Sequence, residues 1–285
     1  SHLWENGRPF EEVDERIIRD MFSGIQNRTR KERFVMVFRK LARIAAILLI
    51  PLLSVLSGYL YFNPVNQEEG IGNLVVHADR GERSGVTLPD GTQVKLNAES
   101  SLSYTHDFGR ELRQVNLEGE AYFEVTRNED KPFVVHTKYL DIEVLGTSFN
   151  VYSYERENVM EMALISGRIK IQTCSEPSRV VYLKPNEKAL FNKESGIITV
   201  EKTDNRFETA WLRGDLVFRS TTLSDVLAKL ERRYGVNIHL NDSSLANDLF
   251  TGNFDSEYIV EVMDLLERHY DFTYDVRGDD IFIHP

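Results

Sequence analysis

The run Ile44-Ala-Ala-Ile-Leu-Leu-Ile-Pro-Leu-Leu-Ser-Val-Leu-Ser-Gly-Tyr-Leu-Tyr-Phe62 holds nineteen residues and no charged side chain. As a helix rising ~1.5 Å per residue it would cover roughly 28 Å, close to the hydrocarbon core of a bilayer. Eleven of its residues are Leu, Ile, Val or Phe. Together they favour insertion by about 5 kcal/mol, against a cost of about 3 kcal/mol for one central Lys or Arg. Pro51 falls mid-run, where lipid-embedded helices tolerate it through local adjustment, and Tyr59, Tyr61 and Phe62 form an aromatic end suited to an interface. A buried helix of a soluble protein would keep a polar face, and this one has none. The sequence therefore predicts a transmembrane helix at residues 44–62.

The flanks orient it. Arg28, Arg30, Lys31, Arg33, Arg39, Lys40 and Arg43 precede the run, and no Lys or Arg follows it until Arg80. The positive-inside rule places residues 1–43 in the cytoplasm and everything after Asn63 outside it. A cleavable signal peptide fits poorly, because the run starts deep in the chain, is too long and lacks a small-x-small exit. Net charge is +3 over residues 1–43 and −14 over residues 63–285, against −11 for the chain. So acidic an exterior argues against nucleic acid as a direct partner, and the basic cluster suits anionic headgroups. Cys174 is the one cysteine, so no intrachain disulfide can form.

Outward from the run, Phe10, Val13, Ile17, Ile18 and Met21 recur at helical spacing among acidic residues. They predict one short amphipathic helix that either docks on a partner or frays as a juxtamembrane arm. Residues 63–73 read as a linker. From Leu74 to about Val200 the period becomes two: Val94-x-Leu96, Leu102-x-Tyr104, Val115-x-Leu117, Ala121-x-Phe123-x-Val125, Ile142-x-Val144, Phe149-x-Val151, Ile169-x-Ile171 and Ile198-x-Val200. Turn signals separate these pairs at Pro89-Asp90-Gly91, Asn128-Glu129-Asp130, Ser166-Gly167, Lys184-Pro185-Asn186 and Ser195-Gly196. Many short strands with regular turns predict an all-β domain over residues 74–205, a sandwich or an irregular roll.

The remainder repeats itself. A shift of 36 residues lays Phe218 on Phe254, Leu223 on Ile259, Val226 on Val262, Leu227 on Met263, and Leu230-Glu-Arg-Arg-Tyr234 on Leu266-Glu-Arg-His-Tyr270. Each unit reads strand, amphipathic helix, strand. Gly235 suits a helix C-cap, and Thr222 or Ser224, and Ser256, suit the N-caps. One such helix cannot bury its stripe alone, so the two units are expected to share a sheet. A last strand at residues 280–283 follows the turn at Gly278. Residues 206–285 are thus a small α+β module of βαβ-βαβ type. No His-Glu-x-x-His, cysteine pair, Gly-x-Ser-x-Gly or phosphate loop occurs. The scattered histidines do not reach metal-ligand spacing, and Asp90-Gly91 and Gly119-Glu120 read as turns. The expectation is a protein that is not an enzyme and uses no metal or other cofactor.

The β segment carries a family resemblance. Leu88-Pro-Asp-Gly-Thr92-x-Val94-x-Leu96-Asn-Ala98-x-Ser100-x-Leu102, Val115-x-Leu117-x-Gly119-Glu-Ala-Tyr-Phe123-x-Val125, Lys131-Pro-Phe133-x-Val135 and Val144-Leu-Gly-Thr147-x-Phe149-Asn-Val151 resemble the FecR-type periplasmic domain of membrane-anchored anti-sigma factors. Residues 206–285 resemble the C-terminal domain of the Bacteroidetes members, itself similar to the short N-terminal signalling module of secretins and TonB-dependent transducers. The resemblance implies a single-pass inner-membrane protein with its N-terminus cytoplasmic and its C-terminus periplasmic. It implies two partners, an ECF-type sigma factor on the cytoplasmic side and the signalling domain of a TonB-dependent outer-membrane transporter on the other. A passive periplasmic adaptor or envelope-assembly scaffold is the alternative. Phe10, Val13, Ile17 and Met21 are the expected sigma-factor contacts. The transducer contacts are expected at Phe250, Phe254, Ile281 and Phe282, with residues 250–254 or 280–283 at a sheet edge open to strand addition. Because the chain opens Ser1-His2 and the family's cytoplasmic region is longer than 43 residues, part of that region is expected to be missing. Some members of the family look self-processed at a Gly-Thr step, which makes Gly146–Thr147 a candidate cleavage site. The plainer reading of the same pair is a β-bulge followed by an ordinary strand residue.

Overall fold

The structure, a computed structural model, describes residues 73–241, 243–255 and 258–284, together with Leu52, Leu53 and Ser57. The chain divides into two compact units, Ser1–Gly70 and Ile71–Pro285. Of the apolar run only Leu52, Leu53 and Ser57 are described, and all three are helical and exposed. The rest of the run, the linker and the amphipathic segment lie outside the described residues. Among the described residues no helix is long and apolar enough to cross a membrane.

The second unit begins with thirteen strands: β1 (Leu74–Ala78), β2 (Ser84–Thr87), β3 (Gln93–Leu96), β4 (Ser100–Tyr104), β5 (Arg113–Glu124), β6 (Phe133–His136), β7 (Leu140–Val144), β8 (Ser148–Ser153), β9 (Val159–Ser166), β10 (Ile169–Thr173), β11 (Val180–Leu183), β12 (Glu187–Asn192) and β13 (Ile197–Lys202). Their pairings divide at β5. Its first part meets β4 and β6, in a sheet ordered β1-β4-β5-β6-β7-β10-β11. Its second part meets β3 and β8, in a sheet ordered β2-β3-β5-β8-β9-β12-β13. One bent strand therefore belongs to two sheets that face each other across a common core. Val115, Leu117, Ala121 and Phe123 alternate inward along its whole length. Phe123 stacks on Phe149 with ring centres 5.0 Å apart and meets Phe133 of the other sheet edge-on at 6.1 Å. All three rings are fully buried, and burial of such side chains contributes roughly 1.5–3 kcal/mol each.

The bend in β5 falls at Gly119, whose φ of +91° lies in the region that glycine alone enters freely. Gly119-Glu120 is thus a strand interior, not the turn its composition suggests. Beyond the bend the chain returns and starts β6 parallel to the beginning of β5, with Arg113 opposite Phe133. Arg113 holds that return. Its buried guanidinium donates to the carbonyls of Thr126 at 2.8 Å, Asn128 at 3.2 Å and Lys131 at 2.5 Å, and to Asp90 Oδ2 at 3.1 Å.

The rest of the unit is β14 (Leu216–Thr222), α1 (Leu223–Tyr234), β15 (Asn237–Leu240), β16 (Leu249–Phe254), α2 (Ile259–Tyr270), β17 (Thr273–Arg277) and β18 (Asp280–His284). Thr222 caps α1 by accepting the Asp225 N–H, and Gly235 ends it at φ +71° with its N–H on the Glu231 carbonyl. The 36-residue shift places Asp271 on Gly235, and Asp271 ends α2 in the same left-handed conformation at φ 55°. Tyr258 occupies the N-cap position of α2, while Ser256 lies outside the described residues.

The expectation that the two units share a sheet holds twice over, because each of two small sheets takes strands from both units. The two first strands pair as β14-β16, and the two second strands flank the last in the order β15-β18-β17. The first strands of the repeat pair directly, the second strands are joined through β18, and the units also share one core. Leu223, Val226 and Leu230 of α1 and Val262, Met263 and Leu266 of α2 are buried in one cluster with Phe218, Phe254 and Ile281. The stripes of both helices are buried in this common core.

Candidate functional site

Where the α+β module meets the β sheets the surface opens into a cleft of about 360 Å³. Its floor is a chain of polar groups started by Glu120, which follows the bend in β5. The Glu120 carboxyl accepts Asn97 Nδ2 at 2.7 Å and Asn150 Nδ2 at 2.9 Å, and Asn150 Oδ1 accepts Trp211 Nε1 at 3.0 Å. Asn150 and Trp211 are both buried. Trp211 belongs to the 3-10 turn Ala210–Arg213 leading into β14. The segment around it, counted above with the α+β module, is hydrogen-bonded to the β sheets. Asn205 reaches the Leu164 carbonyl at 3.3 Å, and Glu208 meets Lys188 at 3.0 Å. Lys188 also holds Glu161 at 3.1 Å.

The far wall is Arg232 of α1. It donates to Glu157 Oε1 at 2.6 Å and to the Tyr152 hydroxyl at 3.1 Å, and lies 4.1 Å over the Tyr154 ring. The Tyr154 hydroxyl donates to the Ala98 carbonyl at 2.7 Å. Such a wall, made of charge-assisted hydrogen bonds and a cation–π contact, needs correct geometry on both sides to offset desolvation. The arrangement registers the position of one fold on the other. Among the described residues no group of three or more His, Cys, Asp or Glu is placed to hold a metal ion.

Burial raises the pKa of Glu120 above the usual carboxylate range, and the hydrogen bonds from Asn150 and Asn97 oppose that rise without cancelling it. A carboxyl with a raised folded-state pKa stabilises the fold fully at low pH, and the contribution is lost as pH rises through that pKa. Glu120→Gln should therefore gain stability relative to the wild type as pH rises above the usual carboxylate range. Urea unfolding at each pH measures this. A constant difference between the two proteins, or one of opposite slope, would contradict it.

Residues 75–170 match the FecR protein family, and residues 215–283 match the FecR, C-terminal family. Two crystal structures, at 1.65 and 2.50 Å, of a protein from Parabacteroides distasonis provisionally assigned as an anti-sigma factor superpose on this fold with a TM-score of 0.68. At 34% identity the match covers 74% of this chain and 98% of that one. The chain belongs to the FecR family. With a FecR domain followed by a FecR C-terminal domain and this structural neighbour, it is a signalling regulator of anti-sigma type. No curated protein matches the chain.

In this FecR-family chain the expected contact residues are dispersed. Phe250 and Phe254 are buried, their rings stacked 5.4 Å apart, so their side chains serve the core of the C-terminal domain. The backbone of β16, however, pairs with β14 alone, and Leu249 is exposed. Ile281 and Phe282 are corrected. Their strand, β18, lies between β15 and β17 and has no free edge. Ile281 is buried, and Phe282 stacks on His239 at 4.7 Å. Gly146 and Thr147 form the corner between β7 and β8. A Cβ on Gly146 would lie 2.6 Å from Arg127 Cα, so glycine is needed there for backbone approach. Thr147 is buried, and its hydroxyl donates to the Arg168 carbonyl at 3.2 Å. A register shift does fall beside it, between Ser148 and Phe149. Phe10, Val13, Ile17 and Met21 lie outside the described residues.

Arg232 escaped the sequence reading because the repeat disguises it. Its counterpart, Arg268, is exposed and bonds its own helix, at the Asp264 carbonyl. Glu120 escaped because it neighbours a glycine. Its position after an unbroken inward alternation was the one available signal.

Proposed function

We propose that this FecR-family chain relays ligand occupancy of a TonB-dependent outer-membrane transporter to a cytoplasmic ECF-type sigma factor through a single membrane span at residues 44–62. The observation that carries the reading is the pairing of the two FecR family matches with 34% identity to the P. distasonis structure. The uncharged run and the seven cations on one side of it support an inner-membrane location with the N-terminus cytoplasmic and the C-terminus periplasmic. Phe10, Val13, Ile17 and Met21 supply an apolar helical stripe for the sigma factor, and β16 offers a strand edge to the transporter's signalling domain. The test is capture of an ECF-type sigma factor by the full chain, lost on Ile17→Asp. Equal capture by both proteins would remove this assignment.

The transporter side has its own expected result. Deleting residues 215–285 should abolish calorimetric binding of the signalling domain, while circular dichroism retains the β signature. Unchanged affinity would exclude the C-terminal domain as receiver.

Cleavage at Gly146–Thr147 belongs to the same reading. The Thr147 hydroxyl adds to the Gly146 carbonyl carbon, the C–N bond breaks as the amine takes the proton, and water opens the resulting ester. Both fragments would stay together, since β5 pairs with β8 and β7 with β10 across the cut. Intact mass after expression in the native host decides it. Two masses meeting at this step, lost on Thr147→Ala, are the expected result, and a single full mass under induction refutes it.

A further inference from the structure

The carbonyls of a helix's last turn lack partners within the helix. In α1 the β domain supplies one of them and also holds the chain just beyond the helix end. Gly81 N–H donates to the Arg232 carbonyl at 2.7 Å, and Arg80 Nη2 donates to the Val236 carbonyl at 2.6 Å. Arg80 Nη1 reaches Asn237 Oδ1 at 3.1 Å. Its charge stands at the helix C-terminus, where the macrodipole favours a cation. The two backbones touch. A Cβ on Gly81 would lie 3.3 Å from Gly235 N, and one on Gly235 would lie 3.2 Å from the Arg80 carbonyl oxygen. Both glycines hold positive φ, +80° and +71°.

Arg80 and Gly81 form the turn that follows β1. That strand is an edge, paired with β4 alone, and its Val75 is 62% exposed. Its burial is concentrated at the end that enters this turn, where Ala78 joins the core while Leu74 and Val75 are exposed. Arg232 is gripped twice. Its carbonyl takes the β1–β2 turn, while its side chain takes Glu157 and Tyr152 beside β8.

We infer that the seating of the C-terminal domain controls the order of β1, the strand through which the chain N-terminal to Leu74 enters the β fold. The cap on α1 and the anchor of β1 are one contact, so loosening either end loosens the other by the same coupling free energy. A partner that shifts the C-terminal domain thereby reaches the N-terminal connection across a single turn. The rest of the sandwich is bypassed. The coupling holds whatever the partner is, and its test involves neither a sigma factor nor a transporter. It therefore stands or falls apart from the signalling assignment.

The experiment is hydrogen exchange, read by mass spectrometry, on the full chain. Arg232→Ala perturbs the side-chain grip without touching β1. Exchange should rise about tenfold in Leu74–Ala78 and in the last turn of α1, and stay unchanged in β12 and β13. Glu157→Gln, a milder change on the β side, should give about a threefold rise in the same two segments if Arg232→Ala fails to fold. Arg80→Ala should loosen the end of α1 in return. Unchanged exchange in β1, or a uniform rise through both sheets, overturns the inference.

Discussion

Arg113→Ala is expected to lower the unfolding free energy by about 3–5 kcal/mol, the range seen when one partner of a buried ionic network is removed. The guanidinium satisfies three carbonyls and Asp90, and it lies 5.8 Å from the centre of the Phe133 ring. Without it those carbonyls lose a shared donor, and a carboxylate 12% exposed keeps only its hydrogen bonds from Thr92 and no cation. Arg113→Lys keeps the charge but not the planar fork, and so should recover about half of the loss. Urea unfolding followed by circular dichroism measures both. A loss under about 1 kcal/mol for Arg113→Ala would mean that the chain returning from β5 to β6 is held by something else.

Arg113 also marks how far the sequence could be read. It is in phase with Val115 and Leu117, so the period-two pattern already pointed its side chain inward. Read as a residue type, an arginine beside Arg110 and Glu111 looks like solvated surface. The alternating strands β3, β4, β7 and β10 were legible for the usual reason, one face more buried than the other. β9, Val159–Ser166, was not, because Met160, Met162, Ala163 and Leu164 are all buried and the alternation breaks. β1 and β2 are edges with too little burial to leave a pattern. In the C-terminal domain the repeat revealed both helices, and Gly235 the left-handed cap of the first. The repeat implied a shared sheet, but the division into two stayed hidden, because pairing of β14 with β16 is a long-range choice that local pattern does not encode. The cleft was illegible for the same reason. Asn97, Glu120 and Asn150 come from separate segments of the β fold, and Trp211 and Arg232 reach the cleft only where the second fold meets it.

The bend in β5 carries the other large effect. Gly119→Ala should cost about 2–5 kcal/mol, combining a left-handed backbone at a non-glycine residue with an overpacked neighbour. The added Cβ would lie 2.3 Å from Ser100 Oγ, 2.7 Å from Ser100 Cβ and 2.8 Å from the Glu99 carbonyl oxygen. Two of those atoms are fixed by the backbone of the adjoining strand, so no rotamer change relieves the contact. Ser100 Oγ is itself engaged, accepting the Glu120 N–H at 2.8 Å. The substitution therefore presses on the residue that opens the cleft floor. The two contributions separate in a double-mutant cycle. Ser100→Gly removes the side-chain clash and leaves the backbone strain, so the pair should be less destabilised than the sum of the single changes by about 1–2 kcal/mol. Strictly additive losses would mean that crowding against Ser100 plays no part. A Gly119→Ala protein as stable as the wild type would mean that the two sheets do not need this strand to bend where it does.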